Sequence, residues 1–342
     1  NGKIFNKEPL PYLFHVDSVT VTITGATSFS PYTQVSLNLS PDSSYFWSQS
    51  DSVAVNRLRS ITTTAQDGKN TKRYAFELNI HQQDPFILRW ERKGDYLASS
   101  PTDQTTVAFN QQFITYYKSG TSVRAVYTND NDGTNWQTLP NITGLPLTVQ
   151  LKTMLSSTET VYVLDENGDV YASDAQGVIW SRVPTEQSIK AIYGILPSAT
   201  NGNILIAIEG EDGTPLFATT DNFAEISTMN GIPEAMPLSG FTATSVENPE
   251  SFSTRYIVLT DGAKADNTPN TSLWILQEKE GEITFVSKSI DATVAGSSLF
   301  YYDGRLYLMA APTQSGTNSL LLSENFGLDW ETAGDDQAFP SD

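Results

Sequence analysis

The chain has 342 residues, no cysteine and only two histidines, His15 and His81. Without thiols it can form no disulfide, thiolate nucleophile or cysteine-bound metal site. Two isolated histidines are too few for a zinc or non-haem iron site. We therefore predict no metal centre. The absence of cysteine also fits a bacterial protein that works outside the cytoplasm, where thiols would oxidise.

Basic residues are scarce, with 20 Lys and Arg against 39 Asp and Glu, and the formal net charge is -19. A surface this acidic repels phosphate backbones, so we expect no nucleic-acid partner. No apolar run approaches the ~18 residues that a membrane span needs. The chain starts at Asn1 without an initiator Met or a signal-peptide pattern. It is interpreted either as a mature fragment whose targeting segment has been removed or as an arbitrary boundary.

Familiar catalytic and cofactor motifs are also missing from the sequence. It has no Gly-x-Ser-x-Gly, no His-Glu-x-x-His, no phosphate loop and no dinucleotide fingerprint. The segment 128–133 has some likeness to a calcium loop, but Leu139 stands where a bidentate Glu would be needed. A hairpin turn is favoured there, with calcium as the alternative. We assign no catalytic residue, no ligand-binding residue and no cofactor.

The first part of the chain alternates apolar and polar residues with a period of two, as half-buried antiparallel strands do. The runs start at Val19, Val35 and Tyr74. Gln82–Pro85 then interrupts the last run. This pattern predicts a small immunoglobulin- or cadherin-like β-sandwich over residues 1–86.

Five similar segments follow, at a spacing of roughly 45 to 50 residues that is typical of propeller blades. Four of them contain a degenerate Asp-box, Ser/Thr-x-Asp-x-Gly-x-x-Trp, starting at Asn129, Ser173, Thr219 and Ser323. A degraded copy with a turn at Gly281 fits between the last two. The fold class is therefore all-β, with a β-propeller over residues 87–342. Five blades could close the ring, or a further blade could lie beyond this sequence.

The box is interpreted as the turn between the third and fourth strands of a blade. Its Asp is replaced by Asn131, Ala175 and Asn325 and remains only as Asp221, while Asp174 could serve in place of Ala175. The structural positions predicted from the boxes are Asn131, Gly133, Trp136, Ser173, Gly177, Trp180, Thr219, Asp221, Ser323, Asn325, Gly327 and Trp330.

The boxes resemble those of sialidase-like propellers, but the sequence has few arginines and no Arg-Ile-Pro, so sialidase activity is not predicted. As a whole, the chain resembles a family of Bacteroidetes surface lipoproteins, domain of unknown function family 6242. The resemblance rests on residues 1–6, Asp51-Ser52-Val53, the run 78–81 and Trp90, and continues through the boxes. It implies export to the periplasm or outer-membrane surface, with a lipid anchor upstream of Asn1 as the link to the membrane. It brings no known reaction.

Three functions remain open. We expect a non-catalytic surface binding protein that takes a glycan or another surface protein through its propeller. The alternatives are a glycan-cleaving enzyme of unfamiliar type and a structural subunit of a surface assembly. On fold analogy, a ligand would lie on the face opposite the boxes. The loops predicted there are residues 140–146, 209–215, 232–240, 261–271 and 311–317.

Overall fold

The computed structural model describes residues 2–15, 18–23, 34–40, 43–82, 84, 87, 90–91, 93–97, 101, 103–196, 203–247, 255–290, 294–302, 304–310 and 319–334. The chain divides into two compact units, Asn1–Leu88 and Arg89–Asp342. This division falls close to the boundary after residue 86 that the sequence suggests.

The first unit contains a five-stranded sheet in the order β1-β7-β6-β3-β4 and a two-stranded sheet, β2-β5. Strand β1 pairs in parallel with β7, and the remaining pairs are antiparallel. The strands are β1 (Gly2–Phe5), β2 (Val19–Thr20), β3 (Gln34–Ser40), β4 (Ser43–Phe46), β5 (Ser52–Val53), β6 (Ser60–Thr64) and β7 (Thr71–Glu77).

The core of this unit lies between its two sheets. Val35, Leu37 and Ile61 from the larger sheet are buried together with Val53 from the smaller one. Val35 and Leu37 are two of the alternating apolar residues in the sequence, and burying one face of each strand drives the sheets together. The last alternating run ends as a strand at Glu77, while Ile80 forms an isolated parallel bridge with Leu10.

Within the described residues, the second unit contains five four-stranded antiparallel sheets, each an up-and-down meander. We call them blades 1 to 5. Blade 1 consists of β8 (Gln104–Phe109), β9 (Gln112–Ser119), β10 (Ser122–Thr128) and β11 (Gln137–Thr138). Blade 2 consists of β12 (Leu155–Ser156), β13 (Val161–Leu164), β14 (Val170–Ser173) and β15 (Trp180–Arg182), and blade 3 of β16 (Ile189–Ile195), β17 (Ile204–Glu209), β18 (Pro215–Thr220) and β19 (Ser227–Gly231). Blade 4 consists of β20 (Ser239–Glu247), β21 (Arg255–Ala263), β22 (Ser272–Lys279) and β23 (Glu282–Ser289), and blade 5 of β24 (Ser298–Tyr302), β25 (Arg305–Ala310), β26 (Ser319–Ser323) and β27 (Glu331–Thr332). The short 3-10 helix η1 (Leu151–Thr153) precedes blade 2.

Neighbouring blades pack face to face through four clusters of buried apolar side chains. Because both faces of blades 2 and 3 are covered, β13 is buried along its whole length and β17 is apolar and buried from Ile204 to Ile208. The clusters include Ile114 and Val163 between blades 1 and 2, Leu164 and Ile206 between blades 2 and 3, Phe217 and Leu259 between blades 3 and 4, and Val258 and Leu308 between blades 4 and 5.

The degraded repeat is blade 4, and its third turn explains why no box is recognisable there. Strands β22 and β23 pair as far as Lys279 and Glu282, so only two residues connect them. These residues, Glu280 and Gly281, both have positive φ, as a tight type I′ hairpin requires. A two-residue turn has no room for the longer box motif. The all-β, propeller architecture predicted from the sequence is confirmed.

Candidate functional site

The first strand of each blade lies at the centre of the propeller. The first strands of blades 3, 4 and 5 contact one another in order, and β12 of blade 2 contacts β8 of blade 1. An inner strand has one edge without a partner strand, so its backbone groups need other partners. Hydroxyl groups supply some of them across the blade boundaries. Ser156 donates to the Ala108 carbonyl at 2.7 Å, and Ser245 donates to the Ile195 carbonyl at 2.6 Å.

The 3-10 helix η1 crosses toward the propeller axis. It contacts the inner strands of blades 1, 3 and 4 in addition to β13 of its own blade. Leu151 anchors it because its side chain is completely buried. The next residue, Lys152, is largely exposed, and its ammonium group lies 4.0 Å from Asp261 Oδ2 in blade 4. The same Asp261 oxygen accepts the backbone N–H of Gly296, just before blade 5, at 3.0 Å.

A cavity of about 550 Å³ lies among the inner strands of blades 2 to 5. We call it the axial cavity. Along β20 it runs from Phe241 to Glu247, a length of about 20 Å at the usual rise of an extended strand. Its lining residues are Lys152, Thr153, Met154, Leu155, Ile192, Tyr193, Gly194, Ile195, Phe241, Ala243, Thr244, Ser245, Glu247 and Tyr301.

Charged groups line the axial cavity at two different levels. Lys152 lies on the side of the turns between second and third strands. This follows from its neighbour Thr153, whose hydroxyl accepts the Leu164 N–H at the end of β13. Glu247 ends β20 on the opposite side, where the boxes lie. Between them the wall is mainly apolar, with both aliphatic and aromatic side chains. Tyr193 is fully buried, which raises the pKa of its phenol, so this group stays neutral and donates to the Pro237 carbonyl at 3.1 Å.

The box turns of blades 2 and 5 are held by side-chain acceptors. In blade 5, the Ser323 hydroxyl accepts the Gly327 N–H at 2.8 Å, and Asn325 Oδ1 accepts the Asp329 N–H at 2.8 Å. In blade 2, Asp174 Oδ1 accepts the N–H groups of Val178 and Ile179 at 2.8 and 3.2 Å, while Ala175 is exposed. Asp174 thus carries the acceptor that the alanine at the next position lacks. The hydroxyl of Ser173, the residue before Asp174, accepts the Val161 N–H at 3.0 Å.

Each of these two boxes places its glycine at positive φ and its tryptophan below the turn. Gly177 and Gly327 have φ of 73° and 93°. Trp180 is buried against Tyr116, with ring centroids 5.6 Å apart. Trp330 Nε1 donates to the Gly327 carbonyl at 3.1 Å. The Trp330 hydrogen bond therefore lies within the turn of blade 5, while the Trp180 contact with Tyr116 joins blade 2 to blade 1.

The turn of blade 1 is built one residue earlier than the sequence spacing suggests. Asp130 Oδ1 accepts the Asp132 N–H at 2.9 Å, and Thr128 Oγ1 accepts the Asp130 N–H at 3.0 Å. Asn131 is exposed. Gly133 still has positive φ, and Trp136 Nε1 donates to its carbonyl at 2.8 Å. One additional residue between the Asp and the Gly accounts for the difference.

The turn of blade 3 also uses different atoms. Thr220 Oγ1, not Thr219, accepts the Phe223 N–H at 2.8 Å, and Phe223 takes the positive-φ position where the motif has Gly. Thr219 is buried in β18. The Asp221 carboxylate accepts the Asn203 N–H at 3.1 Å, outside the turn. The one box aspartate that the sequence retains therefore ties the turn to the neighbouring strand connection.

Two family models cover nearly the whole chain. Residues 84–342 match the DUF6242 beta propeller domain, and residues 1–78 match the DUF6242 N-terminal domain, a domain of unknown function. The chain belongs to the DUF6242 family. No curated protein matches it.

Solved structures similar to this DUF6242 chain are distant. The structure of YjhT has 12% identity and a TM-score of 0.47, covering 69% of this chain and 84% of that one. YCF48 bound to D1 peptide has 10% identity and a TM-score of 0.37, covering 96% and 88%. The Bombyx mori GH32 beta-fructofuranosidase BmSUC1 has 13% identity and a TM-score of 0.36, covering 66% and 60%.

Of the loops predicted as ligand sites in the DUF6242 propeller, the four within the described residues, 140–146, 209–215, 232–240 and 261–271, do not line the axial cavity. Loops 209–215 and 261–271 both contain an Asp-x-Thr turn in which Asp212 or Asp266 accepts the N–H and hydroxyl of the threonine two positions on. These hydrogen bonds lower the pKa of both carboxyl groups. The loop 311–317 lies outside the described residues.

The repeats of the DUF6242 propeller are recognised in the sequence by their turn residues. They therefore do not predict which residues line the axial cavity. Lys152, Glu247 and Tyr301 lie on or beside the first strands of their blades and not at the turns. What these three residues share in the sequence is that each lies on or beside the first strand of its own repeat. Among the described residues, no three His, Asp or Glu side chains gather as a metal site, and no helix is long and apolar enough to span a membrane.

Proposed function

We propose that this DUF6242 chain is a non-catalytic binding protein whose propeller engages a glycan or a protein segment in the axial cavity. The observation that carries the proposal is the cavity itself. Its volume of about 550 Å³ lies within the range of ligand sites, and such sites combine apolar walls with a few polar groups. The N-terminal sandwich serves as a spacer.

The lining of the cavity supports this proposal. Met154, Ile192 and Ile195 provide apolar surface, while Thr153, Thr244 and Ser245 bring hydroxyl groups to the same space. These side chains lie on or directly beside strands, and the strands are held between packed blades. A site on rigid elements loses little conformational entropy when a ligand binds.

The test is binding by the intact chain on a glycan array and in pull-downs of surface proteins, with a variant that fills the cavity. Thr244→Phe adds a ring at a half-buried lining position. It should weaken binding by about tenfold or more because the ligand and the ring compete for the same volume. Thr228→Phe, at an exposed position of the outer strand β19, is the matched control and should bind as the parent does.

Thermal unfolding of both variants shows whether either change disturbs the fold. Equal binding by the parent and the Thr244→Phe variant would place the ligand elsewhere. Each glycan that is retained is then incubated with the protein and its products are separated. Hydrolysis of such a glycan would replace this proposal with the glycan-cleaving alternative.

We further propose that the protein is exported and reaches the periplasm or the outer-membrane surface through a lipid anchor. The lack of cysteine supports export because the chain has no thiol that an oxidising compartment could convert into a disulfide. Cell fractionation with metabolic labelling by a radioactive fatty acid tests it. Recovery of the unlabelled protein in the cytoplasm would overturn the proposal.

A further inference from the structure

The outer strand of blade 4 differs from the outer strands of the other four blades. Within the described residues, β11, β15, β19 and β27 have two, three, five and two residues, and β19 has a register shift against β18. Strand β23 has eight residues and pairs with β22 in one continuous register. Short or bulged edge strands offer little backbone to a further strand. Blade 4 instead presents a long, regular edge.

The turn before β23 determines which of its backbone groups point away from β22. The residues that flank a two-residue hairpin turn, here Lys279 and Glu282, exchange both hydrogen bonds. Every second pair along the two strands does the same, and the residues between them direct their N–H and C=O groups to the free edge. The outward residues of β23 are Ile283, Phe285, Ser287 and Ser289.

Asn230 of β19 occupies one end of this edge. Its Nδ2 donates to the Ile283 carbonyl at 3.0 Å, and its Oδ1 accepts the Ile283 N–H at 2.7 Å. Both groups of Ile283 therefore point outward, as the hairpin geometry requires, and both are already bonded. The outward groups of Phe285, Ser287 and Ser289 have no hydrogen-bond partner within the described part of the chain.

The side chains along the edge favour a strand partner. Residues 283–287 are Ile-Thr-Phe-Val-Ser, an uncharged stretch without Pro, rich in the β-branched and aromatic residues that suit strands. Phe285 and Val286 are 43% and 50% exposed and lie on opposite faces of the strand. In a chain with a net charge of -19, an uncharged edge is a place where two copies can approach with little local repulsion.

We propose that β23 pairs antiparallel with β23 of a second copy of this chain, across a two-fold axis at Ser287. In this register Ser287 faces its own equivalent, and Phe285 faces Ser289 of the second copy. Every outward N–H that Asn230 leaves open then donates to an outward carbonyl of the other chain. Lys288 faces Val286 of the second copy, so no like charges lie opposite each other.

Asn230 selects this register and makes the edge complementary to itself. A register displaced toward the turn would place Ser289 opposite Ile283, whose backbone groups Asn230 already binds. A register displaced the other way would carry Phe285 past the end of β23. The three open residues match the same three residues of an identical strand. A second copy is therefore the partner that satisfies all of them.

The contact is small, so the dimer is weak. One strand pair buries less than the roughly 1,600 Å² of a standard interface, and we expect a dissociation constant of about 100 µM. The paired edge lies on the outer strand of blade 4, whereas the axial cavity is lined by inner strands. The inference therefore does not depend on the function proposed for that cavity.

Sedimentation equilibrium and hydrogen exchange of the complete chain test the proposal. The protein is measured from about 10 to about 500 µM, with about 300 mM sodium chloride to screen the negative charge. The dimer fraction should rise over this range. The amides of Phe285, Ser287 and Ser289 should become protected only at the high concentration. Those of Thr284, Val286 and Lys288 should be protected at both, because they bond to β22.

Substitutions at Ser287 separate the outward backbone group from the side chain. Ser287→Pro removes an N–H that β22 does not use, and it should raise the dissociation constant at least about tenfold. Ser287→Ala is the matched control, since it keeps the N–H, and it should stay within about twofold of the parent. Thermal unfolding of both variants verifies that the blade remains folded.

A lysine on the edge provides a second test that leaves the backbone unchanged. Val286→Lys at this exposed position places a positive charge opposite Lys288 of the second copy, and it should also weaken the dimer at least about tenfold. Thr228→Lys, at an exposed position of β19, makes the same change in net charge and should leave the dimer unchanged.

A single introduced cysteine reports the register, because the chain has no cysteine of its own. Ser287→Cys should form a disulfide-linked dimer under mild oxidation. The two Cα atoms of a directly opposed, hydrogen-bonded pair are about 5.5 Å apart, within the reach of a disulfide. Val286→Cys should cross-link more slowly, since its equivalent lies diagonally across the pair at about 7 to 8 Å.

Three results would overturn the proposal. One is a chain that remains monomeric at about 500 µM, which would leave this edge to a strand of another protein. Another is an equal dissociation constant for Ser287→Pro and Ser287→Ala, which would place the contact elsewhere. The third is faster cross-linking of Val286→Cys than of Ser287→Cys, which would exclude the two-fold axis at Ser287.

Discussion

At the scale of single residues, the propeller shows that a turn depends on where acceptor atoms lie and not on the residue at one motif position. In blade 2 the carboxylate of Asp174 does what the motif assigns to the position held by Ala175. In blade 1 Asp130 does so in place of Asn131. Backbone N–H groups in a turn need an acceptor, and any neighbouring side chain of suitable length can supply it.

Asp174→Ala should destabilise the protein by roughly 1 to 3 kcal/mol because two backbone N–H groups lose their acceptor. Asp174→Asn keeps an acceptor oxygen and should cost less. Gln176→Ala, two residues later at an exposed position, is the control and should change the free energy of unfolding by less than about 0.5 kcal/mol. Urea unfolding followed by tryptophan fluorescence measures all three. Equal effects of Asp174→Ala and Gln176→Ala would refute the assignment of the acceptor.

At the scale of elements, the connection between blades 1 and 2 is fixed by backbone contact with the end of the box turn. Thr143 forms a parallel bridge with Ile179, and its carbonyl accepts the Trp180 N–H at 2.9 Å. The next residue, Gly144, has a φ of 80°, and a Cβ placed there would lie 2.0 Å from the Trp180 carbonyl oxygen. The close approach of two backbone segments therefore requires glycine at this position.

Gly144→Ala should be strongly destabilising, by about 3 kcal/mol or more, because φ strain and a backbone clash act together. Gly213→Ala is the matched control. Gly213 has nearly the same φ, 82°, but no atom lies within 4 Å of an added Cβ. Gly213→Ala should lower the free energy of unfolding by only roughly 1 kcal/mol, because strain from the positive φ acts there without a clash. Thermal and urea unfolding of the two variants separate the clash from the strain. Similar losses in both would show that the connection can move aside.

At the scale of the whole molecule, charge and architecture act separately. The formal net charge of -19 is spread over the surface of the chain, and the cores between blades are apolar. Self-repulsion among like charges destabilises a compact state without changing its fold. The stability of the propeller must therefore come from apolar burial between blades, which has to outweigh the repulsion between negative charges.

Raising sodium chloride from about 20 to 300 mM at pH 7 should raise the melting temperature because screening shortens the range of the repulsion. The same change near pH 4.4, where the sequence has no net charge, should have a smaller effect or the opposite sign. Calorimetry at the two pH values, with sucrose as an uncharged comparison, measures the difference. A salt response of equal size at both would assign the effect to general solvation.

The sequence by itself determined the all-β class and the repeats of the propeller. These features follow from short-range patterns, namely period-two alternation and turn residues at regular spacing, which every strand needs in order to bury one side. The packing of the blades decided the rest. Tertiary structure alone brought Lys152, Glu247 and Tyr301 around one cavity, because they belong to three blades far apart in the chain. Among the described residues it also left Arg124 without the carboxylate that Arg182 and Arg305 each have, because ion pairs depend on strand register across a sheet and no local pattern encodes it.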